Sequence, residues 1–274
     1  MDAREAFVQA MKRVEADADL GRIALLIAAE EYPGLDVDGY LTRIDEIARD
    51  VRPRLGGDEG PAAVLSAINA HLYGVLGFRG NREDYYDPRN SYLNEVLDRR
   101  TGLPILLSVL YREVARRLGH ELVGINFPLH FVLGWPLDGG MLIVDAFEEG
   151  AILTPADCAL RLSRAYGRPV ELGPDAFEPV GPRPIVRRML TNLLNEYTRR
   201  RDYARALAAL DRMQVVLPTI DDQRVRGLLL FRLARPREAE QELTNYLANA
   251  PAAPDRESIE QHLRWIRRLR ASVN

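Results

Sequence analysis

Apolar positions in the first eighty residues recur every three or four places, the spacing that gathers them on one face of an α-helix. Leu20, Ile23, Leu26 and Ile27 mark a first such face, and Tyr40, Leu41, Ile44, Ile47 and Val51 a second. Asp58 and Pro61 signal a third start, and Leu65, Ile68, Leu72, Val75 and Leu76 carry that helix onward. Pro61 falls in its first turn, where a missing N–H costs little. His71 shares its apolar side and reads as a histidine at the rim of the core. The polar run 79–90 predicts a loop, with Ser91 placed to cap a short helix through Leu93, Val96 and Leu97. The loop's acidic residues do not follow the spacing of a calcium-binding loop.

Gly102-Leu103-Pro104 then starts a helix from Ile105 to Leu118 that is apolar on most faces and ends at Gly119. Such a helix packs on several sides at once. Three strands are predicted next, over 121–126, 130–135 and 141–146, rich in Val, Ile, Phe and Trp. The last two flank Pro136-Leu137-Asp138-Gly139-Gly140, a hairpin loop. Thr154-Pro155 opens another helix, carrying Cys158 and Leu162 and closed by Gly167. Residues 168–184 hold Pro169, Pro174, Pro179, Pro182 and Pro184, the composition of an inter-domain connection. Everything beyond is helical. Ala206, Leu210 and Pro218 recur 33 residues later as Ala239, Leu243 and Pro251, close to the period of tetratricopeptide helix pairs. The expected organisation is a first domain over 1–167, a linker over 168–184 and helical repeats over 185–274.

Composition narrows the functions. A net charge of −3 over 274 residues gives no overall pull toward nucleic acid or an anionic membrane. One cysteine, Cys158, excludes an internal disulfide and fits a reducing compartment. The N-terminus shows no signal-peptide pattern and no apolar run is long enough to span a membrane, so the expected location is the cytoplasm. Lys12 is the only lysine, so single arginines carry little meaning as chosen anion ligands. Four histidines (His71, His120, His130 and His262) without paired spacing imply no metal, and no glycine signature implies a phosphate cofactor.

The hairpin brings chemistry together. In an antiparallel pair closed around Asp138, residues whose numbers sum to about 275 lie opposite, so His130 faces Asp145. A carboxylate there holds an imidazole in one tautomer, the orienting half of a catalytic triad. A thiolate nucleophile would sit at the start of the preceding helix, where the N-terminal dipole lowers its pKa. Pro104 or Ile105 stands there instead. Ser108, one turn further in, and Cys158, on a later helix, are substitutes only where the fold brings them to His130; otherwise they read as a packed serine and a small buried hydrophobe.

These residues resemble the transglutaminase-like superfamily. Gly119 matches its helix-ending glycine, His130-Phe131-Val132 its histidine and Val144-Asp145 its aspartate. Tyr86-Asp87-Pro88-Arg89-Asn90-Ser91-Tyr92-Leu93 and Gly102-Leu103-Pro104-Ile105 resemble more narrowly the bacterial SirB-type family, from about residue 30 to the C-terminus. The resemblance implies an α+β fold: N-terminal helices, a papain-like core with a small antiparallel sheet, and a tetratricopeptide-like tail. It also implies a superfamily cysteine that this chain lacks, which puts acyl transfer in doubt. Two functions follow. One is a non-catalytic scaffold or regulator that binds a protein or peptide. The other is an acyl-transfer or amide-hydrolysing enzyme using His130 and Asp145 with Ser108, Cys158 or a water as nucleophile.

Overall fold

The computed structural model describes residues 2–14 and 18–273. Two compact units divide between Met189 and Leu190. Helices α1 (Ala3–Lys12), α2 (Leu20–Glu31), α3 (Val37–Val51) and α4 (Pro61–Asn69) open the first unit. Asp2, Asp19 and Asp36 cap the first three by accepting from the backbone N–H of Glu5, Arg22 and Gly39. The third apolar stripe does not remain one α-helix. After Asn69 it widens into a π-turn over Ala70–Val75 that contains the buried His71, neither of whose ring nitrogens is hydrogen-bonded.

Strand β1 (Arg79–Gly80), helix α5 (Leu93–Arg99) and strand β2 (Thr101–Gly102) follow, with β1 and β2 paired in parallel. Ser91 is not the cap of α5. It lies in a 3₁₀ turn, Pro88–Ser91, started by the Asp87 carboxylate, and Tyr92 occupies the N-cap position of α5. Helix α6 (Pro104–Leu118) is the buried centre of the unit, packed against α2, α3, α4 and α5. Its fully buried Glu113 accepts from the Leu20 N–H at 3.2 Å and from Arg112, Arg116 and Arg117 at 3.2, 2.9 and 2.8 Å. Unpaired, that carboxylate would cost several kcal/mol. Gly119 ends the helix at φ 99°, which its missing Cβ permits.

The sheet consists of β3 (Val123–Ile125), β4 (Val132–Leu137), β5 (Gly140–Asp145), β6 (Ala151–Leu153) and, beyond helix α7 (Pro155–Tyr166), β7 (Pro179–Val180). The antiparallel order is β6-β5-β4-β3-β7. Residues 168–184 belong to the first unit. Val170, Leu172 and Phe177 pack on the cluster of Ile125, Phe127, Val132, Ile143, Cys158 and Leu162, and Pro179–Val180 adds the edge strand. Composition alone suggests a spacer there, but Pro174 starts a 3₁₀ turn, Pro179 lies in the edge strand, and Pro182 and Pro184 open a helix, places where proline is tolerated.

Helix α8 (Pro182–Arg199) runs through the division between the units. In the second unit it is followed by α9 (Tyr203–Val216), α10 (Ile220–Arg232), α11 (Pro236–Asn249) and α12 (Arg256–Val273). The 33-residue recurrence superposes α9 on α11: Ala206 and Ala239, like Leu210 and Leu243, are fully buried equivalents. Gly227 lets α10 close on α11, because a Cβ there would lie 2.6 Å from Leu243 Cγ.

Candidate functional site

The β4–β5 ladder pairs Leu133 with Val144, Gly134 with Ile143 and Leu137 with Gly140. Opposed numbers therefore sum to 277, not 275, because the strands continue through Pro136 and Leu137 and turn over Asp138-Gly139 alone. Gly139 takes the positive φ, 86°, that so tight a turn requires. A shift of two residues, unlike a shift of one, leaves every side chain on its expected face. His130 stands outside the ladder, just before β4 and after Leu129 at φ 61°.

The imidazole still reaches Asp145, with Nε2 2.9 Å from Oδ1. Since an ionised carboxylate only accepts, Nε2 carries the proton and Nδ1 is left as the free ring nitrogen. Asp145 is fully buried at the end of β5 and caps the 3₁₀ turn Ala146–Glu148, accepting from the N–H groups of Phe147 at 3.0 Å and Glu148 at 3.3 Å. Its second oxygen accepts from Arg161 Nη1 on α7 at 2.6 Å. Burial alone would push the Asp145 carboxyl up, but the hydrogen bond and charge of His130, together with Arg161, outweigh it and hold the group below its ordinary value.

Arg161 was invisible in the sequence. An arginine on an amphipathic helix reads as a solvated face, and the available signal was indirect: an aspartate ending a buried strand needs a cation. The surrounding corner is clamped further. Tyr73 donates to the Ala146 carbonyl at 2.9 Å, Asn69 to the Gly150 carbonyl at 3.2 Å, and Arg82 pairs with Glu148. The Phe147 ring meets the His130 ring edge to face at 6.0 Å and carries the Arg82 guanidinium at 5.7 Å. Phe147 and Glu148 also wall a cleft of about 710 Å³, lined by Arg79, Arg82, Asp87 and Arg99, which His130 does not line.

Neither substitute nucleophile joins the pair. Ser108 is fully buried in α6 and its Oγ has no hydrogen-bond partner. Cys158 lies in the apolar cluster beneath the sheet, where burial pushes its thiol up, the opposite of activation. At the start of α6, Pro104 and Ile105 are buried and offer no nucleophilic atom. Among the described residues, no group of three His, Cys, Asp or Glu side chains is arranged to hold a metal, and no helix is long and apolar enough to cross a membrane.

The C-terminal unit carries a different concavity. A groove of about 820 Å³ lies between α8, α10 and α12, floored by Leu194, Val225, Leu228, Leu229 and Ile259. Phe231 and Trp265 line it too, their ring centroids 4.6 Å apart.

A family model described as the transglutaminase-like superfamily matches residues 38–191, and one described as a tetratricopeptide repeat matches residues 193–264. The architecture is thus a transglutaminase-like domain followed by repeat helices. The chain is 36% identical over 247 residues to a UPF0162 protein of Xylella fastidiosa strain 9a5c, covering 88% of this chain and 87% of that one. A UPF0162 protein of Pseudomonas aeruginosa is 32% identical over 193 residues, covering 70% and 69%. The chain belongs to this UPF0162 family of the transglutaminase-like superfamily. A stretch of 140 residues, 48% of this chain, is also 40% identical to part of mouse F-box only protein 21, covering 21% of that protein. No solved structure matches.

Proposed function

We propose that this protein is a non-catalytic scaffold whose transglutaminase-like core is kept for its shape and whose repeat helices bind a protein partner. The observation that carries the reading is the saturation of Asp145. Its carboxylate accepts from His130, Arg161 and two backbone N–H groups, while no thiol or hydroxyl is hydrogen-bonded to His130 among the described residues. A buried carboxylate that accepts four hydrogen bonds from the chain fixes a corner of the fold without needing a reaction. The repeat unit supports the binding half, since stacked helices form extended concave surfaces.

The test has two arms. Full-length protein is incubated with glutamine-containing peptides and a primary amine, and released ammonia and coupled amine are measured for wild type and His130→Ala. In parallel, photo-crosslinking residues placed singly at Trp265 and at the exposed Val215 and Ile220 of the repeat unit report partners inside the host cell. The scaffold reading expects no turnover from either protein and the same recurrent crosslinked partner for both. Turnover that disappears with His130→Ala would overturn it.

A second reading, acyl transfer or amide hydrolysis through His130 and Asp145, is favoured by one feature. The Asp145 contact uses Nε2 and so leaves Nδ1 open to a reacting group or an activated water.

A further inference from the structure

Residues 190–274 contain fifteen arginines against eleven aspartates and glutamates, a net charge of +4, whereas the whole chain carries −3. The groove has the same sign, being lined by Arg224 and Arg232 against one carboxylate, Asp255. Of its charged lining residues, Asp255 is already engaged twice, by Arg224 Nη1 at 2.9 Å and by the Tyr246 hydroxyl at 2.7 Å. Arg232 is exposed and makes no hydrogen bond or ion pair among the described residues. Arg224 keeps a buried Nε with no partner. The groove therefore has spare donors and positive charge but no free carboxylate, set beside an apolar floor and the half-exposed Trp265.

We infer that this groove takes an acidic protein segment with an aromatic or aliphatic anchor, a deepening that rests on the scaffold reading above. The anchor covers Leu228, Phe231 and Trp265, removing apolar surface from water, and an adjacent carboxylate meets Arg232 with the bidentate geometry a guanidinium offers. A basic segment finds no unengaged carboxylate here. A wholly apolar one strands the Arg232 charge in a drying site. Single-stranded nucleic acid would be drawn by the same charge, but it needs cations tracking its backbone, and the groove supplies one free guanidinium beside an aliphatic floor.

The chain contains two tryptophans, and Trp135 is 8% exposed where Trp265 is 53%. In a full-length Trp135→Phe protein, emission therefore reports on the groove alone. Four probes are titrated: a blocked peptide with a Leu-Phe pair flanked by glutamates, its glutamine and lysine versions, and an oligothymidylate. Fluorescence anisotropy of the labelled peptides on wild-type protein provides the same ranking without the tryptophan change. The expected result is a blue shift of Trp265 with the glutamate peptide and binding at least about tenfold tighter than the glutamine version. That advantage shrinks as salt rises, and Arg232→Glu reverses the order in favour of the lysine peptide. Equal binding of the glutamine or lysine version, or tighter binding of the oligothymidylate, overturns the assigned chemistry. Absence of any shift overturns the groove as the docking site. Either failure leaves the scaffold reading standing if a partner still crosslinks without turnover, so the two can fail separately.

Discussion

Asp145 and Asp255 each sit between an arginine and a second side-chain donor, yet their surroundings differ in kind. Asp145 is fully buried, takes two further backbone N–H groups, and belongs to a corner tied down from Asn69, Tyr73 and Arg82. Asp255 keeps about a quarter of its side chain in solvent, at 26% exposure, and lines a groove whose other polar groups have capacity left over. The first carboxylate is closed: four donors from the chain meet it, and what they hold together is the fold. The second is open, and unspent donors beside exposed aromatic surface are what a binding site requires. Arginine–carboxylate contacts alone do not distinguish a structural site from a functional one. What distinguishes them is how much hydrogen-bonding capacity is left when the chain has finished folding.

The largest effect should come from opening the closed cluster. Asp145→Ala leaves His130, Arg161 and two backbone N–H groups without their acceptor and should cost about 3–5 kcal/mol in urea denaturation. A loss under about 1 kcal/mol would mean the corner is far less closed than its contacts indicate.

Acid titration sharpens the same contrast. The Asp145 carboxyl lies below its ordinary value when folded, so its contribution is complete above the unfolded pKa of about 3.9 and is lost as pH falls through the lower folded value. Wild-type stability should therefore drop in this acid window, and Asp145→Asn should flatten the drop. Unchanged slopes would break the assignment.

Asp255→Asn, at the open site, should cost no more than about 1 kcal/mol, because its pair is partly solvated. Its effect should appear in binding, where the Arg224 guanidinium loses its competitor. Smallest of all is Ser108→Ala. Removing a buried hydroxyl with no partner should leave stability unchanged or raise it by up to about 1 kcal/mol. A clear loss would reveal a role the contacts do not contain.

Much of this could be read from the chain. Helical spacing located α2, α3 and α6 because their stripes are long, and the 33-residue recurrence located α9 and α11 because repeat packing demands small residues at fixed places. The meeting of His130 with Asp145 was legible because strand parity survives a two-residue error in register. The turn itself was misjudged because Pro136 looked like a loop residue, although it occupies a strand position opposite Met141. Arg161 and the groove were not legible. Both depend on which helix faces lie side by side, and an arginine or a tryptophan on an amphipathic helix looks the same whether it meets solvent or a neighbour.

The widened turn at Ala70–Val75 bears on how such chains can vary. It carries Tyr73, whose hydroxyl reaches the Ala146 carbonyl. Deleting one residue there would restore ordinary winding and swing the tyrosine about 100° around the helix axis. The tether therefore fixes the number of residues between Pro61 and Phe78 in this chain, whatever side chains fill them.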